Sequence, residues 1–311
     1  MTSRRPTRMQ TTLGAAATLE GVGAHSGLAS RLVLAPAEAG SGIVFTRLGR
    51  GDGEDAPLRA VAGNVTSTDL CMRLGAGAAS ISTIEHLMAA LRGLCVDNVA
   101  IDVDGPEIPA MDGSAAGFVE AIEEAGIVAL RAPRRFLEIR APVRVADGAA
   151  WAELAPAPAG GFHMDVEISY AGAPIGRQRR RMRLTPASFR AEIARARTFG
   201  FLSDAERLWR EGRALGASLD NTIVIAKGRA LNPQGLRFSD EFVRHKMLDV
   251  LGDLALAGAP IIGAFRSYRG GHRLNLALVE ALLATPSAFA FVGGEDENPR
   301  ARRPAGAWAP R

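Results

Sequence analysis

Apolar and polar residues alternate along several short stretches of the chain, a period typical of β-strands with one buried face. Other stretches repeat their apolar residues every three to four positions, as amphipathic α-helices do. The alternation predicts strands at residues 31–34, 43–47, 98–103, 136–139, 150–154 and 162–170. The helical period predicts helices at residues 83–92, 114–124, 186–195, 204–211, 240–257 and 274–283.

The order of these elements begins again after a seam at residues 132–135. Each half starts with strands and continues with helices, which favours an α+β fold over an alternating α/β fold. We therefore predict a first domain at residues 1–131 and a second domain at residues 136–311. A chain of 311 residues is long enough for both domains to bury a core.

The composition is that of a globular protein in water, with 47% hydrophobic and 23% charged residues. The longest nearly apolar stretch, residues 254–265, falls short of the roughly 20 residues that cross a bilayer, so no membrane-spanning helix is expected. Two cysteines are too few for a disulfide framework and favour a reducing compartment. These features predict a cytoplasmic protein.

The net charge of +4 comes almost entirely from arginine, because only two of the 37 basic residues are lysine. Arginines cluster at residues 177–181 and in the C-terminal tail at residues 300–311. Either cluster could touch an anionic surface, or both could be solvated arginines on a strand edge and a frayed tail. The first cluster lacks the interleaved aromatic residues of a nucleic-acid platform, so we expect no nucleic-acid partner.

His245 and Asp249 stand four residues apart on the predicted helix 240–257, so their side chains share one face. An imidazole and a carboxylate at this spacing can take two corners of a zinc site. A third protein ligand would then leave the fourth corner open to water, as catalytic zinc sites do. An ordinary exposed helix face could carry the same pair, and the helix alone leaves both interpretations open.

His86 is the best candidate for a third ligand. The neighbouring Glu85 could be a general base beside a metal, or could form a capping box with Ser82 at the start of a helix. His272 follows two glycines in a predicted loop, where it could be a general acid, a cationic clamp or an ordinary loop residue. Sequence position alone does not decide among these roles.

Six motifs occur in order between Gln10 and about Leu283. They are residues 21–27 (GVGAHSG), 82–87 (STIEHL), 111–115 (MDGSA), 196–201 (ARTFGF), 240–246 (DEFVRHK, followed by Asp249 and Asp253) and 271–272 (GH). Together they resemble the UDP-3-O-acyl-N-acetylglucosamine deacetylase family. The chain differs from the usual family pattern at Ala24 and at residues 72–75, which affects the expected shape of the pocket but none of the candidate ligands.

The resemblance implies a specific set of site residues. His86, His245 and Asp249 would bind Zn²⁺, Glu85 would be the base, His272 oriented by Asp253 would be the acid, Thr198 would help to polarise the amide carbonyl, and Lys246 and Phe199 would contact the sugar and diphosphate. It also implies two similar two-layer α/β sandwich domains facing each other across the active site. A strand-rich insertion near residues 162–184 of the second domain would help to shape a passage for the acyl chain.

The function implied is zinc-dependent hydrolysis of the N-acetyl group of UDP-3-O-acyl-N-acetylglucosamine, which releases acetate during lipid A biosynthesis. The implied partner is this small-molecule substrate. The implied protein is a cytoplasmic monomer that makes at most peripheral contact with a membrane. Two alternatives stay open: a zinc amidohydrolase of another amino sugar, and a nucleotide-sugar or lipid-precursor binding protein without catalysis. Metal analysis distinguishes the binding protein, and a test of which substrate portions are required distinguishes the other hydrolase.

Overall fold

A computed structural model describes residues 9–49, 56–157, 159–170 and 175–293. The arginine-rich tail at residues 300–311 lies outside this range. The elements of the first half are β1 (Met9–Leu13), β2 (Ala17–Val22), β3 (Ala29–Pro36), β4 (Ile43–Arg47), β5 (Pro57–Arg59), β6 (Val65–Ser67), β7 (Arg73–Leu74), β8 (Ile81–Ser82), α1 (Glu85–Gly93), β9 (Val99–Val103), α2 (Ala116–Ala125) and β10 (Ile127–Pro133).

The second half contains another set of strands and helices, with a π-helical turn, Phe189–Ile193, directly after its first short helix. They are β11 (Arg135–Ile139), β12 (Val143–Asp147), β13 (Ala150–Ala155), β14 (Phe162–Tyr170), β15 (Gly176–Leu184), α3 (Pro186–Ser188), β16 (Phe199–Phe201), α4 (Leu202–Arg210), β17 (Ile223–Ala226), β18 (Arg229–Ala230), α5 (Glu241–Leu254), β19 (Ile261–Tyr268), α6 (His272–Leu283) and β20 (Phe289–Gly293). This mixture of separate sheets and helices confirms the α+β prediction.

The first sheet has the strand order β2-β3-β9-β4-β5, and only the β4–β9 pair is parallel. Alternate side chains of its central strands, including Leu32, Phe45 and Ile101, are completely buried. This is the burial that a period of two requires when one face of a sheet packs against helices. Helix α2 packs against β2 and against α1.

The second sheet is organised around β19, which sequence periodicity did not identify as a strand. One edge of β19 pairs with β13, and the other edge pairs first with β11 and then, from Gly263 onward, with β14. Strands β12, β15 and β20 complete the sheet. Helices α5 and α6 pack against it, and α5 also packs directly against α1 of the first half. The division into two domains stays a prediction.

The segment near residues 162–184, expected as an insertion, is part of this second sheet. Its strands β14 and β15 form an antiparallel hairpin, and β14 pairs in parallel with β19 along six residues. A separate small sheet with the order β16-β17-β18 instead stands beside α4. The hairpin therefore extends the second sheet, whereas β16–β18 form a sheet of their own, and the role of residues 162–184 as an insertion stays a prediction.

The arginine cluster at residues 177–181 lies on β15, which pairs only with β14 among the described strands. Arg179 and Arg181 both donate to Asp165 on β14, with nitrogen–oxygen distances of 2.7 and 2.8 Å. Arg177 pairs with Glu167. The arginines at residues 177–181 thus lie on a strand edge, as the second of the two interpretations predicts. Carboxylates of the neighbouring strand neutralise part of their charge. No helix within the described residues combines the length and apolarity needed to span a bilayer.

Candidate active site

Three side chains from two helices converge between the two halves of the molecule. Nε2 of His86 on α1 lies 3.6 Å from Oδ1 of Asp249, and Nε2 of His245 lies 3.3 Å from the same oxygen on α5. One ligand atom from each residue lies within 4.8 Å of the others, and all three side chains are buried. The structure therefore brings together the three residues that the sequence singled out as candidate metal ligands.

Hydrogen bonds orient two of these groups toward a common point. Nδ1 of His245 lies 3.0 Å from the carbonyl oxygen of Ala196, so Nδ1 donates its proton and Nε2 keeps a lone pair. Burial lowers the pKa of His245 to about 4, which keeps the imidazole neutral. The ammonium of Lys246 donates to Oδ2 of Asp249 at 2.7 Å. Burial opposes ionisation of Asp249, but the nearby His245 and Lys246 hold its pKa well below the usual value.

Glu85 does not form the capping box that its spacing from Ser82 suggested. Helix α1 begins at Glu85 itself, its N-cap residue is Ile84, and no side chain caps it. The Glu85 carboxylate instead accepts a hydrogen bond from the backbone N–H of Met72 at 3.1 Å. Burial raises the pKa of Glu85. A buried carboxylate with a raised pKa beside possible metal ligands has the properties of a general base.

His272 is the first residue of α6, whereas the sequence placed it in a flexible loop. Its Nδ1 lies 2.9 Å from Oδ2 of Asp253, which also accepts a hydrogen bond from Asn275 at 2.8 Å. Its Nε2 lies 3.7 Å from Oε1 of Glu85. Burial opposes protonation, but Asp253 and then Glu85 outweigh it and raise the pKa of His272 to about 10. The imidazole is therefore oriented by one carboxylate and faces a second.

A cavity of about 360 Å³ opens over these groups. Thr198 and Phe199 line it together with Lys246, whose ammonium lies 5.5 Å from the centre of the Phe199 ring. Phe199 also contacts Tyr170 and His245, with ring centres 5.7 and 6.2 Å apart. All nine site residues expected from the sequence thus lie in one cavity or, for Asp253, directly behind it.

Comparison with known proteins identifies the family. The family model described as UDP-3-O-acyl N-acetylglycosamine deacetylase matches residues 10–284. The chain belongs to this family. Relatives named UDP-3-O-acyl-N-acetylglucosamine deacetylase from Brucella ovis, Brucella abortus (strain S19) and Brucella melitensis biotype 2 are each 49% identical over 284 residues, which cover 91% of this chain and 98% of theirs. The family resemblance stated from the six motifs is confirmed.

In this member of the deacetylase family, a buried ion pair that sequence reasoning missed joins two of the motifs. An acidic residue at the start of α5 is already explained by its favourable interaction with the helix dipole. The sequence therefore offers no reason to expect that Glu241 contacts a distant residue. Its carboxylate accepts hydrogen bonds from the backbone and side chain of Arg197 at 3.0 and 2.8 Å. Both residues are almost completely buried. The pair holds the backbone around Ala196, which orients His245.

Glu107, a second residue whose role the sequence did not reveal, connects the motifs at residues 21–27 and 82–87. It is buried and accepts hydrogen bonds from the backbone of His25 and Ser26, at 3.0 and 2.7 Å, and from the hydroxyl of Thr83 at 2.7 Å. Thr83 has a φ of 60°, which is costly for a β-branched residue. Glu107 therefore stabilises a strained backbone two residues before Glu85.

Gly252 explains how α1 and α5 come close enough to share the site. A Cβ atom at position 252 would lie 2.0 Å from the carbonyl oxygen of Glu85, far inside van der Waals contact. A helical glycine costs about 1 kcal/mol relative to alanine in the absence of such contacts. The missing side chain allows the two helix backbones to approach each other at the residue next to His86.

We expect Gly252→Ala to separate the two helices and to reduce kcat by about 10²-fold, because a shift near 1 Å in catalytic groups has that effect. Overpacking should also lower the free energy of unfolding by about 1–3 kcal/mol. Gly117→Ala is the matched control, since its Cβ would meet only the Met111 side chain, with the flexible Cε nearest at 3.1 Å. Equal kinetics and equal denaturation midpoints for the two variants would show that the close approach does not position the site.

Proposed function

We propose that this protein is a zinc-dependent amide hydrolase that removes the N-acetyl group of UDP-3-O-acyl-N-acetylglucosamine and releases acetate, in lipid A biosynthesis. Its family membership supports the deacetylase reaction and the substrate. One structural observation carries the mechanism: His86, His245 and Asp249 converge in the cavity that Glu85 also lines, and Nε2 of His272 lies 3.7 Å from Oε1 of Glu85. This arrangement joins a possible metal site to a base and an acid.

The donor set fits zinc. Two imidazoles and one carboxylate are the ligand types that catalytic zinc sites use, and three protein ligands leave a coordination position open. His245 is held in the tautomer that leaves Nε2 free. When bound there, zinc supplies Lewis acidity toward the amide oxygen and makes water a better nucleophile near neutral pH.

Glu85 takes the proton of the attacking water in the proposed reaction. Its hydrogen bond from Met72 fixes the carboxylate, and its burial makes it a stronger base than an exposed glutamate. Attack at the amide carbon produces an oxyanion that needs a nearby positive charge or donor. Protonated His272 can supply the charge, and the Thr198 hydroxyl, which lines the same cavity, can donate to this oxygen.

His272 gives a proton to the departing amine. Asp253 accepts from Nδ1, so the Nε2 proton points toward Glu85 and the reacting centre. After cleavage of the carbon–nitrogen bond, acetate and the free amine are the products. The two proton transfers use separate residues: Glu85 starts deprotonated and His272 starts protonated. Their different environments maintain these two protonation states.

The cavity walls suggest how the rest of the substrate binds. Phe201, Leu208 and Ala217 line it and offer apolar surface for the acyl chain. Arg207 also lines it and can pair with the diphosphate. Lys246, expected to contact the sugar and diphosphate, lies against Asp249 and Phe199, so we assign it to the sugar end of the cavity.

We further propose a cytoplasmic monomer that takes a small-molecule substrate, makes at most peripheral membrane contact and binds no nucleic acid. The two cysteines are both free thiols, one buried and one half-buried, as expected in a reducing compartment. The lack of a spanning helix within the described residues agrees with this assignment. Partial neutralisation of the β15 arginines by Asp165 and Glu167 weakens the case for a nucleic-acid surface.

Acetate release from UDP-3-O-acyl-N-acetylglucosamine, measured with and without a chelator, tests the proposed function. We expect one zinc per chain, loss of acetate release on chelation and recovery when zinc is restored. Substrates lacking either the UDP or the acyl group should react far more slowly. Equal rates on such fragments would favour a hydrolase of another amino sugar, and substrate binding without metal or turnover would favour a binding protein.

We expect Asp253→Asn to move the alkaline limb of the pH–kcat profile to lower pH. The mechanism uses protonated His272, so activity falls as the pH rises through the pKa of this residue. Removing the carboxylate charge at 2.9 Å removes the main factor that raises this pKa, and such charges are worth about 1–3 pH units. Asp147→Asn, at an exposed position on β12, should leave the profile unchanged. An unshifted alkaline limb in Asp253→Asn would contradict the assigned role of His272.

A further inference from the structure

A second cavity, separate from the active site, lies at the C-terminal end of α1 and beside the C-terminal half of α5. It has a volume of about 140 Å³, and none of its lining residues lines the active-site cavity. Arg92, in the last turn of α1, is the only charged residue among those that line it. The walls are mostly apolar and include Phe136, Phe162, Leu184, Leu251, Leu254 and Ile261.

The guanidinium of Arg92 has no protein partner at its most buried nitrogens. Nε and Nη1 are shielded from solvent and have no hydrogen-bond acceptor among the described residues. Oδ2 of the nearby Asp97 instead pairs with Arg134 at 2.6 Å and accepts from the backbone N–H of Thr11 at 2.8 Å. Among the described residues, these two nitrogens therefore lack an acceptor of the kind that a bound anion provides.

Leaving buried N–H groups of a guanidinium without acceptors is costly, because these groups lose water without compensation. Nearly all buried polar groups in proteins have partners, so an exception calls for an explanation such as a ligand or ordered water. A single cation in an apolar cavity matches a ligand with one negative charge and an apolar tail. A doubly charged phosphate would find only one cation among the described lining residues and would leave the walls without contacts.

We propose that this cavity binds a monocarboxylate with a short aliphatic chain. The carboxylate accepts hydrogen bonds from Arg92, and the chain packs between Leu251, Leu254 and Ile261. A volume of 140 Å³ corresponds to several water molecules at roughly 30 Å³ each. It therefore suits a head group followed by a chain of a few carbons.

This site is distinct from the catalytic centre. Arg92 follows His86 by six residues on α1, which places it about 9 Å further along the helix at 1.5 Å per residue. Both helices that carry the candidate metal ligands reach the second cavity through their C-terminal halves, since Leu251 and Leu254 belong to α5. A ligand there contacts the helix pair without touching the substrate cavity.

The test compares sodium hexanoate, hexan-1-ol and inorganic phosphate as ligands of the full-length protein. Binding is measured by titration calorimetry and by thermal denaturation, with and without a zinc chelator. Hexanoate should bind saturably and raise the melting temperature, because a ligand that binds only the folded state stabilises it. Hexanol lacks the charge and phosphate lacks the chain, so neither should reproduce the effect.

Arg92→Met is the decisive variant, and Arg140→Met, which replaces a half-exposed arginine on the surface, is its matched control. Hexanoate binding should be lost in the first and unchanged in the second. Alkylation of the Cys95 thiol gives a second measurement that needs no variant, because Cys95 lines the cavity while Cys71 is buried. Saturating hexanoate should slow this alkylation at least several-fold.

Three outcomes would overturn the proposal: no saturable binding of hexanoate, equal binding in Arg92→Met, or equal effects of hexanoate and hexanol. Binding of phosphate but not of hexanoate would also overturn it and would indicate a plain anion site. If Arg92→Met does not fold, the Cys95 protection measured on the unaltered protein still decides the matter. None of these readouts measures acetate release, so they stay valid even if the proposed deacetylase activity is wrong.

Discussion

Replacing Glu85 by glutamine is expected to reduce kcat by about 10²- to 10⁴-fold, the usual contribution of a general base. Glutamine has the same shape, and its side-chain oxygen can still accept the hydrogen bond from the backbone N–H of Met72. The variant should therefore fold normally and keep its metal, while losing the group that takes a proton from water. Steady-state kinetics of acetate release and metal content per chain measure the two effects separately.

The matched control is Glu120→Gln, which makes the same chemical change at an exposed position on α2. It should leave kcat, metal content and melting temperature unaltered. The expected pattern for Glu85→Gln is a loss confined to kcat. Full activity in this variant would exclude Glu85 as the general base. Loss of both metal and activity would instead indicate that Glu85 binds the metal or supports a metal ligand.

Local sequence patterns predicted the parts of the site that depend on local geometry. The four-residue spacing of His245 and Asp249 places their side chains on one helix face, and the structure has their ligand atoms 3.3 Å apart. Strand β4 was predicted to the residue, because its alternation is bounded by turn-forming glycines and polar residues. Spacing alone could not place His86 beside this pair, since that distance depends on how two helices pack.

Tertiary contacts account for most of what the sequence did not reveal. Glu241 and Glu107 each have an unremarkable local setting, and their partners lie 44 and up to 82 residues away in the chain. In the sequence, Gly252 is only a residue that destabilises a helix. The structure shows that the carbonyl oxygen of Glu85 takes the space that a side chain at position 252 would need. Strand β19 escaped detection because its residue types do not alternate although its burial does: Gly263 and Ser267 occupy buried positions, and the apolar Ile262 lies between two of them.

Removing one candidate metal ligand should have the largest effect of any single substitution. His86→Ala leaves only His245 and Asp249, and two protein ligands do not hold a catalytic zinc in place. We expect zinc content to fall from one per chain to near zero and acetate release to fall to background. Metal content after dialysis and acetate release at saturating substrate measure the two losses.

His163→Ala is the control for a lost histidine, because His163 lies on β14 and contacts the carbonyl oxygen of Gly160, away from the cavity. It should keep both zinc and activity. Excess zinc offers a further distinction for His86→Ala. Partial recovery of acetate release at high zinc concentration would mean that the imidazole contributes affinity, whereas full zinc content without turnover would mean that His86 acts in catalysis and is no ligand. Unchanged zinc content and unchanged turnover together would exclude a metal centre at these three residues.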